Sequence, residues 1–117
     1  MRIGVVALAQ VQQADGRIKS RPVVVLQEMP PYGDLLVCAV SSQLRHECPG
    51  FDEIISTSDD DFVTSGLKVT SLIRLGLIVT IPRSAVLGEL GTISTGRLER
   101  LCRQLASHID RVSPEWR

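Results

Sequence analysis

The 117-residue chain is long enough to form one hydrophobic core, and we predict a single domain over residues 1–117. Hydrophobic residues make up 44 % of the chain but aromatic residues only 3 %, so aliphatic side chains must fill that core. Thirteen basic and thirteen acidic residues cancel, which argues against a general nucleic-acid coat but allows a local basic patch. One candidate patch is Arg17, Lys19 and Arg21.

The cysteines and the apolar runs favour a reducing compartment. Cys38, Cys48 and Cys102 are odd in number, widely spaced and not arranged as zinc ligands. Cys38 lies in an apolar run and is expected to be a buried, small hydrophobic residue. Neither a signal peptide nor an apolar run near the roughly 18 residues that span a bilayer is visible, so we predict a cytoplasmic protein with no membrane partner.

In the first third of the chain, short apolar runs alternate with turn signals, which predicts strands. Strands are expected at Ile3 to Leu8, at Pro22 to Leu26 and at Leu35 to Val40, the last of them buried on both faces. Asp15-Gly16 and Pro30 to Asp34 are expected to form the turns between them. Proline donates no ladder hydrogen bond, so Pro22 is expected only to open its strand.

The middle of the chain is predicted to contain shorter elements. A turn is expected at Cys48 to Gly50 and a short strand at Asp52 to Ile55. Asp59 to Phe62 is expected to form a solvated helical turn that Ser65-Gly66 ends. Consecutive carboxylates point in different directions, so the three aspartates there are not expected to hold a metal ion.

Two further strands are predicted at Leu67 to Arg74 and at Leu77 to Ile81. Leu75-Gly76 is expected to turn the chain between them, and Pro82 is expected to end the second. Leu87 to Gly91 fits either a turn or a short strand, and both interpretations stay open.

The end of the chain carries a helical pattern, with apolar residues three or four positions apart. Ser94 or Thr95 can cap this helix, and Pro114 is expected to end it. Five to seven strands followed by one amphipathic helix predict a mostly β fold with a helix packed on a small barrel. The residues predicted to share the buried helix face are Leu98, Leu101, Leu105, Ile109 and Val112.

Three segments together resemble the MazF/PemK family. In Asp15 to Leu26 a polar loop leads into Arg-Pro and then an aliphatic strand. Val37 to Gln43 is a strand that ends in two small hydroxyl residues and a glutamine. Ser65 to Arg74, followed by Leu77 to Ile81, resembles the family's next pair of strands, and Leu90 to Ser94 with the terminal helix completes the expected order.

This resemblance covers nearly the whole chain and implies both a fold and a function. It implies an SH3-like barrel of the MazF/PemK/CcdB type, a homodimer, and the toxin of a type II toxin–antitoxin system. It further implies metal-independent, sequence-specific cleavage of single-stranded mRNA by 2′-hydroxyl attack, which leaves a 2′,3′-cyclic phosphate. No cofactor is expected. The implied partners are single-stranded RNA and a cognate antitoxin. DNA would be contacted only indirectly, through the antitoxin.

The resemblance places the family's catalytic arginine at Arg21 and its catalytic hydroxyl at Ser41, where threonine is usual. A guanidinium suits the role because it is planar, always charged and able to grip two phosphate oxygens. Arg21 is expected to bind the phosphate and to be a candidate general acid. Ser42 replaces Ser41 if the alignment slips by one, since alternation puts only one of them on a given sheet face.

Substrate binding is assigned to residues around this pair. Arg17 and Lys19 are expected to form a mobile basic loop for the RNA backbone, although they could equally be the solvated tip of a hairpin. Gln43, like Ser42, is a candidate substrate contact, although Gln43 could instead cap the strand end. Some family members carry an acidic residue near the position of Lys68, so lysine there leaves the general base unassigned and makes Lys68 a candidate phosphate ligand.

Three alternatives stay open. His46 suits proton transfer because histidine titrates near neutrality, but it lies beyond Gln43 in a loop and matches nothing in the family. His108 is expected at the surface. The chain could also be a non-catalytic SH3-like toxin that binds a protein, as gyrase-poisoning relatives do, or a family member whose site has decayed.

Overall fold

The computed structural model describes residues 2–12 and 15–111, which form a six-stranded antiparallel sheet with a helix packed on it. The strand order is β4-β5-β3-β2-β1-β6, and no ladder among the described residues joins the two outer strands. The predicted mostly β fold with a C-terminal helix is confirmed, although the word barrel describes this sheet only loosely. The elements are β1 Val5–Gln12, β2 Ile18–Met29, β3 Asp34–Ser41, β4 Glu53–Ile55, α1 Phe62–Ser65, β5 Ser71–Ile81, β6 Val86–Thr92 and α2 Thr95–Asp110, with 3₁₀ turns at Leu44–His46 and Arg83–Ala85.

The buried side chains form two clusters, one on each face of the sheet. The cluster that α2 covers includes Val24, Cys38 and Leu101. The cluster on the opposite face includes Val23 and Val37. Successive residues of a strand point to opposite faces, so β2 and β3 supply both clusters. This explains why the run at 35–40 is apolar throughout, and its predicted burial on both faces is confirmed.

Helix α2 begins where the sequence predicts. The Oγ of Ser94 accepts a hydrogen bond from the backbone N–H of Arg97 at 3.2 Å, which caps the first turn. Leu101 is fully buried, but Ile109 is 66 % exposed, so its predicted place on the buried face is wrong. Every described residue from position 106 onward is exposed, so the buried face of α2 ends at Leu105. Val112 and Pro114 lie outside the described residues.

Strand β5 is continuous where the sequence predicts two strands and a turn at Leu75-Gly76. Its pairing with β3 runs as far as Arg74 and resumes at Ile78, so the residues between them bulge from the ladder. Leu75 is only 1 % exposed within the cluster under α2, which keeps the chain in the sheet. The predicted turn is therefore wrong.

Proline 22 does not open its strand, contrary to the prediction. Strand β2 begins at Ile18, and Pro22 pairs with Leu8 of β1. The ladder between β2 and β3 starts only at Val23, so one side of the strand is unpaired at Pro22. A missing N–H donor therefore removes no hydrogen bond to β3.

The acidic segment before α1 is not the solvated helix start that was predicted. Asp61 is only 6 % exposed, and its carboxylate binds Arg97 through Nε at 2.8 Å and Nη2 at 3.1 Å. The same guanidinium binds Asp59 at 2.9 Å and Glu53 at 2.9 Å. Asp60 alone of the three aspartates is exposed. The cluster attaches α2 to β4 and to the start of α1.

The short helix α1 lies in backbone contact with β6. A Cβ atom on Gly66 would collide with the backbone of Leu90, and one on Gly91 would collide with the backbone of Thr64. Gly66 also has a φ of +74°, in the left-handed region that favours glycine. Both glycines are therefore required, and the predicted helix end at Gly66 is confirmed.

Candidate active site

Two predicted residues and one unpredicted residue share a sheet face on three neighbouring strands. Val23 of β2 pairs with Ala39 of β3. Because these strands are antiparallel, Arg21, two residues before Val23, lies opposite Ser41, two residues after Ala39. Ala39 also pairs with Arg74 of β5. These residues project on the face opposite α2, because side chains two positions apart in a strand share a face.

A groove of about 430 Å³, here called the sheet groove, opens on this face. Its floor is apolar because β2, β3 and β5 supply valine, alanine and leucine side chains there. Its polar side chains come from within β2 and β5, from the ends of β1 and β3 and from the segment after β3 that includes the first 3₁₀ turn. The residues that line the sheet groove include Arg21, Ser41, Gln43, His46, Arg74 and Ile78.

A second groove of about 570 Å³, here called the loop groove, meets the first. Residues 66–69, which follow α1, form one of its walls. Arg21, Ser41 and Gln43 line both grooves and therefore mark the point where the two meet. The other polar residues of the loop groove are Lys19, Ser20, Ser42, Lys68 and Ser71.

Ser41 and Ser42 occupy different positions. Ser41 is the last residue of β3 and lines both grooves, whereas Ser42 follows the strand and lines only the loop groove. The Oγ of Ser41 accepts a hydrogen bond of 3.0 Å from the backbone N–H of Gln43. A hydroxyl that accepts such a bond keeps its own hydrogen for donation, for example to an oxygen of a bound phosphate.

Two guanidinium nitrogens in the sheet groove lack a counterpart. The Nε atoms of Arg21 and Arg74 are both shielded from solvent, and neither has a hydrogen-bond partner among the described residues. Buried donors are nearly always paired, so an unpaired donor in a groove indicates a site for an acceptor. Two guanidinium groups together select an anionic ligand.

The charge of the two grooves has one sign. Arg21 and Arg74 line the sheet groove, and Lys19 and Lys68 line the loop groove with Arg21. No aspartate or glutamate is among the described residues that line either groove. A chain with no net charge thus concentrates positive charge where an anion could bind.

The predicted substrate contacts do not all meet at the grooves. Lys19 and Lys68 are exposed side chains of the loop groove. Arg17 lines neither groove. It lies at the tip between β1 and β2, where its Nε is 3.8 Å from the carboxylate of Asp15. The predicted basic loop therefore contributes Lys19 to the grooves but not Arg17.

Arg74 is the functional candidate that the sequence did not reveal. An arginine between the buried residues Ile73 and Leu75 was the available signal, because a charge inside an apolar strand needs a purpose. His46 also reaches the sheet groove, although nothing in the motifs assigned it a role. His108 lies outside both grooves, exposed on α2, with its ring 4.9 Å from that of Phe51.

Residues 2–12 and 15–111 contain neither a candidate metal site nor a helix that could span a membrane. No group of three or more histidine, cysteine, aspartate or glutamate side chains in these ranges could hold a metal ion. No helix in the same ranges is both long and apolar enough to cross a membrane.

Comparison with solved structures shows which class of fold this is. The Mycobacterium tuberculosis toxin MazF-mt6 aligns with a TM-score of 0.68 and 17 % identity over 93 % of this chain and 99 % of that one. An endoribonuclease from a mycobacterial species, solved with its cognate antitoxin, aligns with a TM-score of 0.70 and 13 % identity over 97 % of this chain and 99 % of that one. The fold is therefore that of the MazF toxins.

The family follows from the sequence itself. The family model described as PemK-like, MazF-like toxin of type II toxin–antitoxin system matches residues 2–109. The chain belongs to this family, and the resemblance that its three motifs indicated is confirmed. A comparison with curated proteins gave no match.

Proposed function

We propose that this toxin is a metal-independent, sequence-specific endoribonuclease that cuts single-stranded RNA, and mRNA in particular. The observation that carries the proposal is the pair of unpartnered guanidinium nitrogens, on Arg21 and Arg74, in a groove that also contains the hydroxyl of Ser41. That set of groups fits a phosphodiester.

The chemistry requires few protein groups, because the RNA supplies its own nucleophile. The 2′-oxygen attacks the neighbouring phosphorus, the bond from phosphorus to the 5′-oxygen breaks, and the products are a 2′,3′-cyclic phosphate and a 5′-hydroxyl. Negative charge grows on the phosphoryl oxygens in the transition state. Arg21 and Arg74 would bind those oxygens, and Ser41 would donate a further hydrogen bond. A well-aimed donor is worth about 3–4 kcal/mol in such a transition state.

The two grooves suit a strand that runs through their meeting point. The scissile phosphate would lie at Arg21 and Ser41, with a nucleotide on either side. Lys19 and Lys68 would hold phosphates in the loop groove, while Ser42 and Gln43 would contact sugar or base edges there. With few aromatic side chains available, base identity would be recognised by hydrogen bonds rather than by stacking.

The proposed partners follow from the same charges. One of the mycobacterial relatives was solved with its cognate antitoxin, and a partly acidic antitoxin segment would fit the cationic grooves of this chain. We propose a cytoplasmic homodimer that contacts DNA only through that antitoxin. The proposed reaction uses no cofactor.

The test is cleavage of EDTA-treated RNA of varied sequence by the purified protein. The unmodified protein should produce 2′,3′-cyclic phosphate ends, detectable by mass spectrometry, and Arg21→Ala should slow cleavage at least about a hundredfold. Arg103→Ala, an exposed arginine of α2, is the matched control and should cut normally. Absence of cutting by the unmodified protein would favour a protein-binding toxin or a decayed site.

The two serines give a sharper comparison within the same assay. Ser41→Ala should slow cleavage about a hundredfold, because its hydroxyl lies where the two grooves meet. Ser42→Ala should weaken RNA binding and leave the rate for bound RNA close to normal. Equal effects of both substitutions would show that the hydroxyl of Ser41 has no special role.

A further inference from the structure

We infer that His46 is the general base that takes the proton from the 2′-hydroxyl. This inference rests on the proposed ribonuclease function and adds the group that the family resemblance leaves unassigned. His46 lines the sheet groove together with Arg21, Ser41 and Arg74. The proposed phosphate site and an imidazole thus share one groove.

The local fold directs this histidine to the groove. The strand that ends at Ser41 is followed, after Ser42 and Gln43, by the 3₁₀ turn Leu44–His46, which contacts β5. The backbone N–H of His46 donates to the carbonyl of Gln43 at 3.1 Å, and the N–H of Gln43 donates to the Oγ of Ser41 at 3.0 Å. These two bonds connect the position of the imidazole to that of the proposed catalytic hydroxyl.

The other side chains of the grooves are unsuited to accept a proton. No aspartate or glutamate is among the described residues that line the sheet groove or the loop groove. Guanidinium and ammonium groups donate hydrogen bonds and have no lone pair that could accept a proton, and a serine hydroxyl or a glutamine amide is only a weak base. Imidazole is the side chain that most often acts as a general base, and His46 is the one histidine among the described residues that line the two grooves.

The charged groups around His46 are consistent with this assignment. Arg21 approaches the groove from β2 and Arg74 from β5, while Arg45 and Glu47 are its neighbours along the chain. Two guanidinium groups that bind the phosphoryl oxygens would hold the scissile phosphate beside the imidazole.

The proton of the 2′-hydroxyl passes to the imidazole as the new bond to phosphorus forms. Water protonates the departing 5′-oxygen, and the imidazolium then returns its proton to solvent.

The experiment compares two histidine variants in single-turnover cleavage of RNA without metal ions. His46→Ala should lower the rate for bound RNA about a hundredfold or more, which is the ordinary contribution of a general base. Binding of an RNA that carries 2′-deoxyribose at the cleavage position should stay within threefold of the unmodified protein. His108→Ala is the control and should cut at the normal rate, because His108 lies on α2 outside both grooves.

Chemical rescue separates a base from a structural residue. Added imidazole should restore cleavage to His46→Ala, and substituted imidazoles should restore it in proportion to their basicity. A His46→Ala protein that cuts within threefold of normal would overturn the inference and leave the proposed function standing. Lost cleavage without rescue, or lost binding of the deoxy analogue, would also overturn it. If the unmodified protein cuts no RNA, the proposed function itself fails.

Discussion

A carboxylate oxygen of Asp52 accepts a hydrogen bond of 2.9 Å from the backbone N–H of Leu75, inside the bulge of β5. The other oxygen accepts a bond of 2.9 Å from the N–H of Cys48, in the turn before β4. Asp52 is only 7 % exposed. It therefore satisfies a donor that the bulge removes from the ladder, directly beside Arg74.

We expect Asp52→Ala to reduce both stability and activity. The substitution leaves the N–H groups of Cys48 and Leu75 without their acceptor. A buried donor left unpaired lowers the free energy of unfolding by about 1–3 kcal/mol. Urea denaturation measures this change. Cleavage should also slow, because the bulge positions Arg74 in the sheet groove. Asp60→Ala is the exposed control, and equal midpoints for the two variants would contradict the role given to Asp52.

Removing the second guanidinium should impair cleavage about as much as removing the first. We expect Arg74→Ala to slow single-turnover cleavage about a hundredfold, and Arg74→Lys to recover only part of it, since an ammonium cannot grip two oxygens in a fixed plane. The variant that lacks both Arg21 and Arg74 should lose less than the product of the single losses, because the two would act on one phosphate. A normal rate for Arg74→Ala would exclude Arg74 from the site.

The bulge explains why the sequence alone did not identify Arg74 as a site residue. Regular alternation and a glycine predict a turn at Leu75-Gly76, which would place Arg74 at the end of one strand. What keeps the strand continuous is the burial of Leu75 and the hydrogen bond from its N–H to Asp52. Both depend on residues distant in sequence, so no local pattern reveals them.

The same reason explains the acidic segment. Asp59 and Asp61 look like a solvated helix start because their partner, Arg97, lies on α2, more than thirty residues further along the chain.

Local sequence patterns were sufficient to predict the elements with a regular apolar spacing. The spacing of Leu98, Leu101 and Leu105 predicts the buried face of α2, and the apolar run of β3 predicts its burial on both faces.

The three thiols should react at different rates. Cys48 is exposed, whereas burial raises the pKa of the Cys38 thiol to about 12 and also raises that of Cys102. Alkylation requires the thiolate. Iodoacetamide should therefore label Cys48 first in the folded protein and Cys38 only after unfolding, as peptide mass spectrometry would show. Cys48→Ser should abolish the fast phase, and early labelling of Cys38 would contradict its burial.

The ion pair between Asp61 and Arg97 should make stability depend on acid pH. Burial acts to raise the pKa of Asp61, but the hydrogen bonds from Arg97 and Ser94 outweigh it and hold this pKa below the ordinary 3.8. A carboxyl with a lowered folded-state pKa contributes stability above its unfolded-state pKa. That contribution is lost as the pH falls past 3.8 toward the lower folded-state pKa.

We therefore expect Asp61→Asn to lower the free energy of unfolding by about 3 kcal/mol near neutral pH. This is at the lower end of the cost of breaking a buried ion pair, because Asp59 and Glu53 still bind Arg97. The difference in unfolding free energy between this variant and the unmodified protein should shrink as the pH falls below about 4. Urea denaturation at several pH values measures it. Asp60→Asn changes an exposed neighbour and should have the same unfolding free energy as the unmodified protein at every pH. If the difference for Asp61→Asn stays constant with pH, the charge of Asp61 does not stabilise the fold.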